Sequence, residues 1–449
     1  MKSLKETLTG RARPEQLVQT SLKNIARKAK REKKYRFRDL YRQINYGALK
    51  LAWLEINKKA AAGVDKITAA EFEKNLEENL QNILESLKEK RYHAKLVRRK
   101  YIDKGNGKKR PLGIPALKDK IVQRAVTDIL EAIVEQDFIE DSYGYRPNKS
   151  AKEAVINLSE ELNFGQYNYI VEADIKGFFD NIDHDWLIKM LEQRIDDQQL
   201  IRLIKKWLKA GVLGEDNQIV YPKSGTPQGG IISPVLANIY LHFVLDNWFE
   251  KVIKEIIEGD SYFLRYADDY ITAFRYRKDA EYFYSKMQKR LNEFGLELSL
   301  EKSDIILFSR FKKEGSKRFE FLGFEFSRST SFRGKDIIKR RTSRKKLRKS
   351  IKNFRNWCKM MRNQKLKTVF KKLNAKLRGY YNYYGLIGNY ESLEEFFNIS
   401  LKILYKWLNR RSQRKSMNWD KFEEIIGWYN VCKPRIVEKI NRQLRLNFA

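Results

Sequence analysis

Two short stretches of the sequence place acidic residues where a strand is expected to end or turn. Asp174 follows the mostly apolar run 169–173, and Asp268 and Asp269 stand side by side between the aromatic and β-branched runs of YFLRYADDYITAF (262–274). The second stretch predicts a hairpin with two adjacent carboxylates at its tip. Because adjacent carboxylates repel each other, a fold that brings them near a third carboxylate needs a cation there.

The chemistry that suits these three carboxylates depends on magnesium. Hard oxygen ligands with no His or Cys nearby select Mg²⁺. Two such ions about 3.5–4 Å apart support in-line attack of a 3′-hydroxyl on an α-phosphate, because one activates the nucleophile and the other neutralises the leaving pyrophosphate. An Asp-Asp pair alone is often only a polar turn. Together with Asp174 and basic chain ends, it becomes a polymerase hypothesis.

The composition favours a folded protein with a polyanionic partner. The 449 residues are 42% hydrophobic and 13% aromatic, which is enough apolar material for real cores and excludes disorder as the main description. The 92 Lys and Arg against 57 Asp and Glu give a formal charge of +35. Nucleic acid is therefore favoured over an anionic membrane surface as the partner.

Several classes of protein are excluded by the rarer residues. Cys358 and Cys432 lie far apart, which argues against a disulfide framework or a Cys-rich zinc module and fits a reducing compartment. His93, His184 and His242 form no cluster with metal-ligand spacing. The first residues lack a signal-peptide core, and no stretch approaches the roughly 18 apolar residues of a membrane span. We expect no membrane partner and a cytoplasmic location, in a bacterial cytosol or an organelle matrix.

The positive charge is concentrated at the two ends of the chain. Residues 1–45 contain 14 basic and 4 acidic residues, a net charge of +10, and residues 335–449 contain 31 and 8, a net charge of +23. The middle, 46–334, contains 47 basic and 45 acidic residues, a net charge of +2. This distribution predicts a catalytic body with two extensions that bind nucleic acid, although a solvated helix face would explain part of either extension.

Helical and strand periods alternate along the chain, which predicts an α+β fold. Helices are expected at 21–44, 118–136, 347–361, 366–379 and 397–408. Strands are expected at 167–175 and in 91–114, where they flank a tight Gly105-Asn106-Gly107 turn. The three C-terminal helices suit binding along a phosphate backbone, with a packing appendage as the alternative. The polar, Gly-containing stretch at 330–340 is the expected domain boundary.

Eight blocks of the sequence match one family, in that family's order. They are AAGVDKIT (61–68), KRPLGIPALKDKIVQ (109–123), DSYGYRPNKSA (141–151), ADIKGFFDNIDH (173–184), SGTPQGGIISPVLANIYL (224–241), RYADDY (265–270), LSLEKSD (298–304) and FLGFEF (321–326). The chain therefore resembles, over nearly its whole length, the group II intron-encoded reverse transcriptases, also called maturases. GYYNYYG (379–385) resembles part of the family's thumb, or domain X, and KPRI (433–436) resembles the segment that comes after the thumb.

The resemblance implies a right-hand polymerase whose C-terminal part is a helical thumb and maturase domain. Residues 1–60 would form a basic N-terminal extension, 61–334 the fingers and palm, and 335–449 the thumb or domain X. The family's catalytic residues fall on Asp174, Asp268 and Asp269, and its metal ligands are these residues and the carbonyl of Ile175. They would hold two Mg²⁺ ions, for which Mn²⁺ is a substitute.

The resemblance also implies a nucleotide site and a primer grip. The triphosphate would be bound by Lys104 and Arg110, which agrees with the point charge of Lys and the planar fork of Arg. Further nucleotide contacts would come from Phe179, Gln228, Gly229 and Lys302. The aromatic ring of Phe179 would collide with a ribose 2′-hydroxyl and so favour deoxynucleotides. The primer grip falls on Phe321, Leu322 and Gly323, for which a buried strand is the alternative interpretation.

The function implied is that of an RNA-directed DNA polymerase that binds its intron RNA, assists splicing and reverse transcribes the intron during retrohoming. Its partners would be an RNA template, a DNA or RNA primer and deoxynucleoside triphosphates, with a homodimer left open. One alternative is a stand-alone relative with a host role in CRISPR systems, defence or DNA repair. Another is an RNA-binding splicing cofactor alone. Because Cys432 has no neighbouring cysteine, we expect no HNH endonuclease site.

Overall fold

A computed structural model describes residues 14–103, 109–310, 316–331, 333–411 and 417–439. The α-helices are α1 (Pro14–Arg31), α2 (Tyr46–Glu55), α3 (Ala69–Lys74), α4 (Leu76–Lys88), α5 (Leu117–Val134), α6 (Ala151–Phe164), α7 (Phe178–Asn181), α8 (His184–Glu192), α9 (Gln198–Leu208), α10 (Ser233–Leu241), α11 (Lys254–Ile256), α12 (Arg277–Glu293), α13 (Arg344–Met361), α14 (Leu366–Tyr384), α15 (Tyr390–Leu408) and α16 (Trp419–Trp428). Short 3₁₀ turns lie at Tyr41–Gln43 and Leu300–Lys302, and π-helical turns at His242–Asp246 and Phe249–Ile253.

The strands are β1 (Val97–Asp103), β2 (Lys109–Ile114), β3 (Tyr169–Ala173), β4 (Val212–Leu213), β5 (Ile219–Val220), β6 (Ser261–Tyr266), β7 (Asp269–Phe274), β8 (Asp304–Leu307), β9 (Phe319–Phe321), β10 (Phe324–Thr330) and β11 (Asp336–Thr342). They form three sheets: a finger sheet in the order β2-β1-β4-β5, a palm sheet in the order β6-β7-β3-β8 and a hairpin sheet in the order β11-β10-β9. This mixture of helices and mainly antiparallel sheets is the expected α+β class.

The palm sheet is the part of the fold that carries the acidic residues. Its inner strands β3 and β7 pair antiparallel, with Tyr169 opposite Phe274 and Ala173 opposite Tyr270. Helix α12 covers the sheet with buried residues at helical spacing, namely Ala280, Phe283, Met287 and Leu291. Apolar side chains bury both faces of β3 and β7. The ends of these two strands are therefore fixed relative to each other.

The basic N-terminal segment packs on the body of the protein. Helix α1 contacts α2 and α5, and the predicted helix at 21–44 ends at Arg31 rather than continuing. The guanidinium of Arg194 explains the end, because it donates hydrogen bonds to the carbonyls of Ala29, Glu32 and Tyr35 at 3.0, 2.9 and 3.3 Å. After the helix, Phe37 forms a parallel β-bridge with Ile195, which follows α8.

The C-terminal part is a helical bundle joined to the palm through the hairpin sheet. Helices α13, α14 and α15 confirm the three predicted helices, although α14 continues past Gly379 to Tyr384. The stretch 330–340 contains the end of β10 and the first residues of β11, which pair with each other from Thr330 opposite Asp336 onwards. Helices α13 and α14 contain no acidic residue. Within the described ranges, no helix is long and apolar enough to cross a bilayer.

Candidate active site

The three predicted carboxylates meet at one end of the palm sheet. Strands β6 and β7 form the predicted hairpin, with Tyr266 opposite Asp269, so that Ala267 and Asp268 make a two-residue turn. Ala267 has a positive φ of 56°, as such tight hairpin turns require. Asp174 follows β3, whose last residue pairs with Tyr270 of β7. The register therefore places Asp174 beside the turn.

The charges of these carboxylates affect one another. Burial raises the pKa of Asp269 to about 6, and the negative charges of Asp268 and Asp174 contribute to the shift. Burial also raises the pKa of Asp268, and Asp174 raises it further, while its own backbone amide and the charge of Arg110 act in the opposite direction. A cation at this position would relieve the repulsion among the three groups.

Lysine and serine side chains hold Asp174 in place. The ammonium of Lys302 lies 2.5 Å from Oδ2 of Asp174, and the backbone amide of Asp174 donates to the hydroxyl of Ser303 at 3.3 Å. Ile175 forms an antiparallel bridge with Leu298. The hydrogen bonds of this bridge use the carbonyl of Asp174 and the amide of Lys176, so the carbonyl of Ile175 is not a partner in it.

The donor set fits a hard divalent cation better than a transition metal. Asp174, Asp268 and Asp269 offer carboxylate oxygens, and the carbonyl of Ile175 adds a neutral one. Across the described ranges, no three His, Cys, Asp or Glu side chains are already arranged as a metal-binding cluster. Lys302 supplies positive charge to Asp174 instead. A divalent ion would have to replace that ammonium as the partner of Asp174.

The residues expected to contact the nucleotide approach the carboxylates from the fingers. Arg110 lies on β2 with its side chain exposed, and its positive charge acts to lower the pKa of Asp268. Two backbone contacts connect the neighbouring loop: the amide of Gly113 on β2 donates to the carbonyl of Gln228 at 2.6 Å, and the amide of Thr226 donates to the carbonyl of Phe179 at 2.8 Å. Lys104 lies outside the described residues.

Gly229 is required at its position. Its φ is +113°, and a Cβ there would lie 2.6 Å from the carbonyl oxygen of Gly113. Only glycine accommodates both the backbone conformation and the close approach. The structure thus brings Phe179, Gln228, Gly229 and the strand of Arg110 together. The ring of Phe179 is 8% exposed and packs against Phe178.

The segment expected to be the primer grip is the tip of a hairpin. Phe321 ends β9, and Leu322 and Gly323 form the turn before β10 with φ values of 48° and 84°. The amide of Glu320 donates to Glu172 of β3 at 2.9 Å. From the other side, the hydroxyl of Tyr383 on α14 donates to the carbonyl of Leu322 at 2.8 Å.

A cleft of about 430 Å³ lies between the carboxylates and this hairpin. Its lining joins the palm, the hairpin tip and the first helices of the C-terminal bundle, and includes Asp174, Asp269, Lys302, Leu322, Lys346 and Tyr383. The positive charges of Lys346 and Lys302 lower the pKa of Asp269 against the effect of burial. Basic and aromatic groups thus lie beside Asp174 and Asp269 on the side of the hairpin tip.

Sequence reasoning assigned no role to three residues that the structure places at this site. Lys346 is one of many basic residues of α13, and its place in the sequence does not distinguish it from its basic neighbours. Arg265 is fully buried and donates to the carbonyl of Ala267 at 3.0 Å. Tyr145 lies within the GYRP stretch of a matching block, next to Gly144, whose contact with Ala267 depends on tertiary structure.

The mixed helix and sheet body, followed by a helical C-terminal bundle, has the architecture of a right-hand polymerase. Residues 102–326 match the family model described as reverse transcriptase (RNA-dependent DNA polymerase), and residues 337–423 match the model described as group II intron, maturase-specific domain. The chain therefore belongs to the reverse transcriptase family, and within it to the group II intron reverse transcriptases with a maturase domain.

Curated relatives agree with this assignment. The group II intron-encoded protein LtrA of Lactococcus lactis subsp. cremoris is 33% identical over 402 aligned positions, and the match covers 71% of this chain and 65% of that protein. Protein YkfC of Escherichia coli K12 is 38% identical over 196 residues, or 43% of this chain and 50% of that protein. The nuclear intron maturase 2 of Arabidopsis thaliana is 28% identical over 176 residues, 30% of this chain and 24% of that protein. The chain spans less than two thirds of LtrA.

Proposed function

We propose that the chain is an Mg²⁺-dependent RNA-directed DNA polymerase that also binds a folded intron RNA. The observation that carries the proposal is the meeting of Asp174, Asp268 and Asp269 at one end of the palm sheet, where Asp174 and Asp269 line a cleft. In this proposal the three side chains and the carbonyl of Ile175 hold two Mg²⁺ ions. The ions would activate the primer 3′-hydroxyl and neutralise the leaving pyrophosphate.

The protein's own groups would bind and orient the substrates around that centre. Arg110 and Lys104 would bind the triphosphate, and the loop with Gln228 and Gly229 would approach the nucleotide through its backbone. Phe179 would lie beneath the sugar and exclude a ribose. The Leu322-Gly323 turn would support the primer end, since it is held between β3 and α14.

Primer extension on an RNA template tests the enzymatic part. We expect the purified protein with Mg²⁺ and deoxynucleotides to make cDNA, and Asp268→Asn to reduce the rate by at least about 10³-fold, as the loss of a metal ligand at a reacting centre requires. The matched control is Asp260→Asn at the opposite end of the same hairpin, where the carboxylate is exposed and pairs with Arg275. Equal cDNA synthesis by Asp268→Asn and the parent would refute the proposal.

The maturase part is supported by the match of residues 337–423 and by helices α13 and α14, which have many basic residues and no acidic one. We propose that this surface binds intron RNA, so that the protein assists splicing and supplies the enzyme for retrohoming. A splicing assay on the RNA that flanks the gene tests this. If Asp268→Asn still promotes splicing while making no cDNA, the two activities use different surfaces.

A further inference from the structure

The segment that precedes α6 adds to the edge of the palm sheet beside the catalytic turn. Ser142 forms a parallel bridge with Arg265 of β6. The amide of Tyr143 donates to the carbonyl of Arg265 at 2.8 Å, and the amide of Arg265 donates to the carbonyl of Asp141 at 2.9 Å. This pairing fixes residues 141–143 alongside the strand that leads to Asp268.

Gly144 then contacts the turn itself. A Cβ at Gly144 would lie 2.2 Å from the amide nitrogen of Ala267 and 2.8 Å from its Cα, so the two backbones are in direct contact. The carbonyl of Gly144 accepts a hydrogen bond at 2.7 Å from the buried side chain of Asn238. The same Asn238 accepts from Arg265 at 2.9 Å, and that guanidinium also donates to the carbonyl of Ala267. The buried side chains of Asn238 and Arg265 therefore hold the backbones of Gly144 and Ala267 together.

Tyr145 follows in a conformation that is unusual for a tyrosine. Its φ is +57°, in the left-handed region, yet its side chain is 55% exposed. A left-handed conformation persists in a tyrosine only where the surrounding structure imposes it. Here the exposed side chain contributes little to a hydrophobic core. Arg146 holds the other side of the residue by donating to the carbonyls of Ile139 and Ser142 at 2.7 and 2.6 Å. The backbone is thus fixed before and after an exposed aromatic ring.

Tyr145 directly follows Gly144, whose backbone contacts Ala267, so its exposed side chain begins one residue from the contact with the turn that carries Asp268. The charges acting on the phenol agree with this position, because partial burial raises the pKa of Tyr145, the negative charge of Asp268 raises it further, and the positive charge of Arg110 lowers it. Asp268 belongs to the palm turn, and Arg110 belongs to the finger sheet. The phenol is therefore close to the space between a proposed metal ligand and a proposed phosphate-binding side chain. That is the space that the sugar and triphosphate of an incoming nucleotide would occupy.

We infer that Tyr145 is a nucleotide-binding residue whose ring and hydroxyl contact the sugar and phosphates of the incoming deoxynucleoside triphosphate. The inference rests on the proposed polymerase function and extends it to a residue that is neither a proposed metal ligand nor one of the proposed phosphate-binding residues Lys104 and Arg110. Because the backbone is already fixed, little conformational freedom is lost when the nucleotide binds. A side chain in this role affects the KM for the nucleotide more than the rate of the bound complex.

Steady-state primer extension with varied nucleotide concentration tests the inference through three variants. Tyr145→Phe removes the hydroxyl and is expected to raise the KM for the nucleotide about tenfold, as for loss of a hydrogen bond to a charged group. Tyr145→Ala removes the ring as well and should raise it further. Tyr145→Asn keeps a residue that tolerates positive φ but lacks the ring, and should behave like Tyr145→Ala. In all three, kcat should change less than KM, and the affinity for primer-template should stay at the parental value.

Tyr276 supplies the matched control, because it is 40% exposed and lies near the opposite end of β7 from the catalytic turn. Tyr276→Phe and Tyr276→Ala should leave the KM for the nucleotide unchanged. Parental KM values in all three Tyr145 variants would overturn the inference and leave the polymerase proposal intact. A parental KM in Tyr145→Asn alone would also overturn it, since the backbone would then be the only requirement.

A direct measurement of nucleotide binding distinguishes failure of the polymerase proposal from failure of the inference about Tyr145. The probe is a non-hydrolysable α,β-imido deoxynucleotide, trapped with protein and primer-template in a gel-shift assay. If the parent makes no cDNA but traps the analogue in a Tyr145-dependent manner, the polymerase proposal fails and the binding role stands. If the parent neither extends nor traps the analogue, both are wrong.

Discussion

The guanidinium of Arg265 and the carboxylate of Asp246 form a two-bonded ion pair in which neither side chain is exposed to solvent. Nε lies 2.7 Å from Oδ1 and Nη2 lies 2.6 Å from Oδ2. Burial alone would raise the pKa of Asp246, but the charge and hydrogen bonds of Arg265 outweigh it and keep that pKa below its usual value. Since Arg265 also donates to Ala267, the pair links the π-helical turn His242–Asp246 to the hairpin that carries Asp268.

Removing one partner of this pair should destabilise the protein strongly. Asp246→Asn leaves a buried guanidinium without its counter-charge, and we expect a loss of about 3–5 kcal/mol in the free energy of unfolding. Denaturant unfolding measures this change. Glu250→Gln is the control, because Glu250 pairs with Lys254 at a partly exposed site and should cost about 1 kcal/mol or less. Similar losses of stability in both variants would show that the buried ion pair contributes no more to the free energy of unfolding than the partly exposed one.

The contact between Gly144 and Ala267, in the turn that carries Asp268, can be tested with a single methyl group. Gly144→Ala would place a Cβ 2.2 Å from the amide nitrogen of Ala267, so the turn must shift and cDNA synthesis should fall by about 10²-fold or more. Gly379→Ala is the matched control, since a Cβ there meets nothing within 4 Å on α14. This second variant should gain up to about 1 kcal/mol of stability and keep its activity. Full activity of Gly144→Ala would mean that the turn tolerates displacement.

Lys302 should compete with a divalent cation for Asp174. In Lys302→Met the ammonium is gone, and we expect Mn²⁺, used as a spectroscopic probe, to bind about two- to fivefold more tightly, as for loss of one partly exposed ion pair. Electron paramagnetic resonance of free Mn²⁺ measures the affinity. Lys176→Met, which removes an exposed lysine paired with Glu297, should leave Mn²⁺ affinity unchanged. Weaker binding in Lys302→Met would indicate that the lysine supports the site rather than competing for it.

Stability should depend on pH through Asp128 on α5. Burial raises its pKa to about 7, and the nearby Glu55 and Glu131 contribute to the shift, while Arg124 opposes it. The folded protein therefore favours the protonated form, and this contribution is full below about pH 4 and is lost as the pH rises through 7. Relative to the parent, Asp128→Asn should gain about 2–3 kcal/mol between pH 5 and pH 8. Asp260→Asn, at an exposed site, should show no such trend; a flat difference for Asp128→Asn would contradict the prediction.

The basic face of α13 should account for part of the salt dependence of RNA binding. Lys352 and Arg355 are exposed on this acid-free helix. Reversing both to Glu should lower the affinity for structured RNA at least about tenfold and reduce the slope of log affinity against log salt by about 2, since fewer counterions are released. Filter binding over a salt series measures both. Lys286→Glu with Lys289→Glu, exposed on α12, is the control and should keep the parental slope.

The sequence predicted the local elements on which the site depends because their signals are local. The Asp268-Asp269 hairpin follows from two strand-like runs around a short turn, and the three C-terminal helices follow from apolar spacing. The helix expected at 21–44 shows the limit: its end at Arg31 is set by Arg194, which is distant in the sequence and whose guanidinium binds the carbonyls there. No local pattern contains that information.

The amino-acid sequence by itself determined the α+β class and the family through its ordered blocks, and it supplied the three carboxylates that we propose as metal ligands. Tertiary structure decided which groups face them. The contact of Gly144 with Ala267, the pairing of Lys302 with Asp174 and the exposed position of Tyr145 join residues from separate elements. Such contacts depend on the register of β3, β6 and β7 and on the packing of helices against them. Periodicity fixes which face of an element is buried, whereas only the folded chain fixes which side chains meet across a cleft.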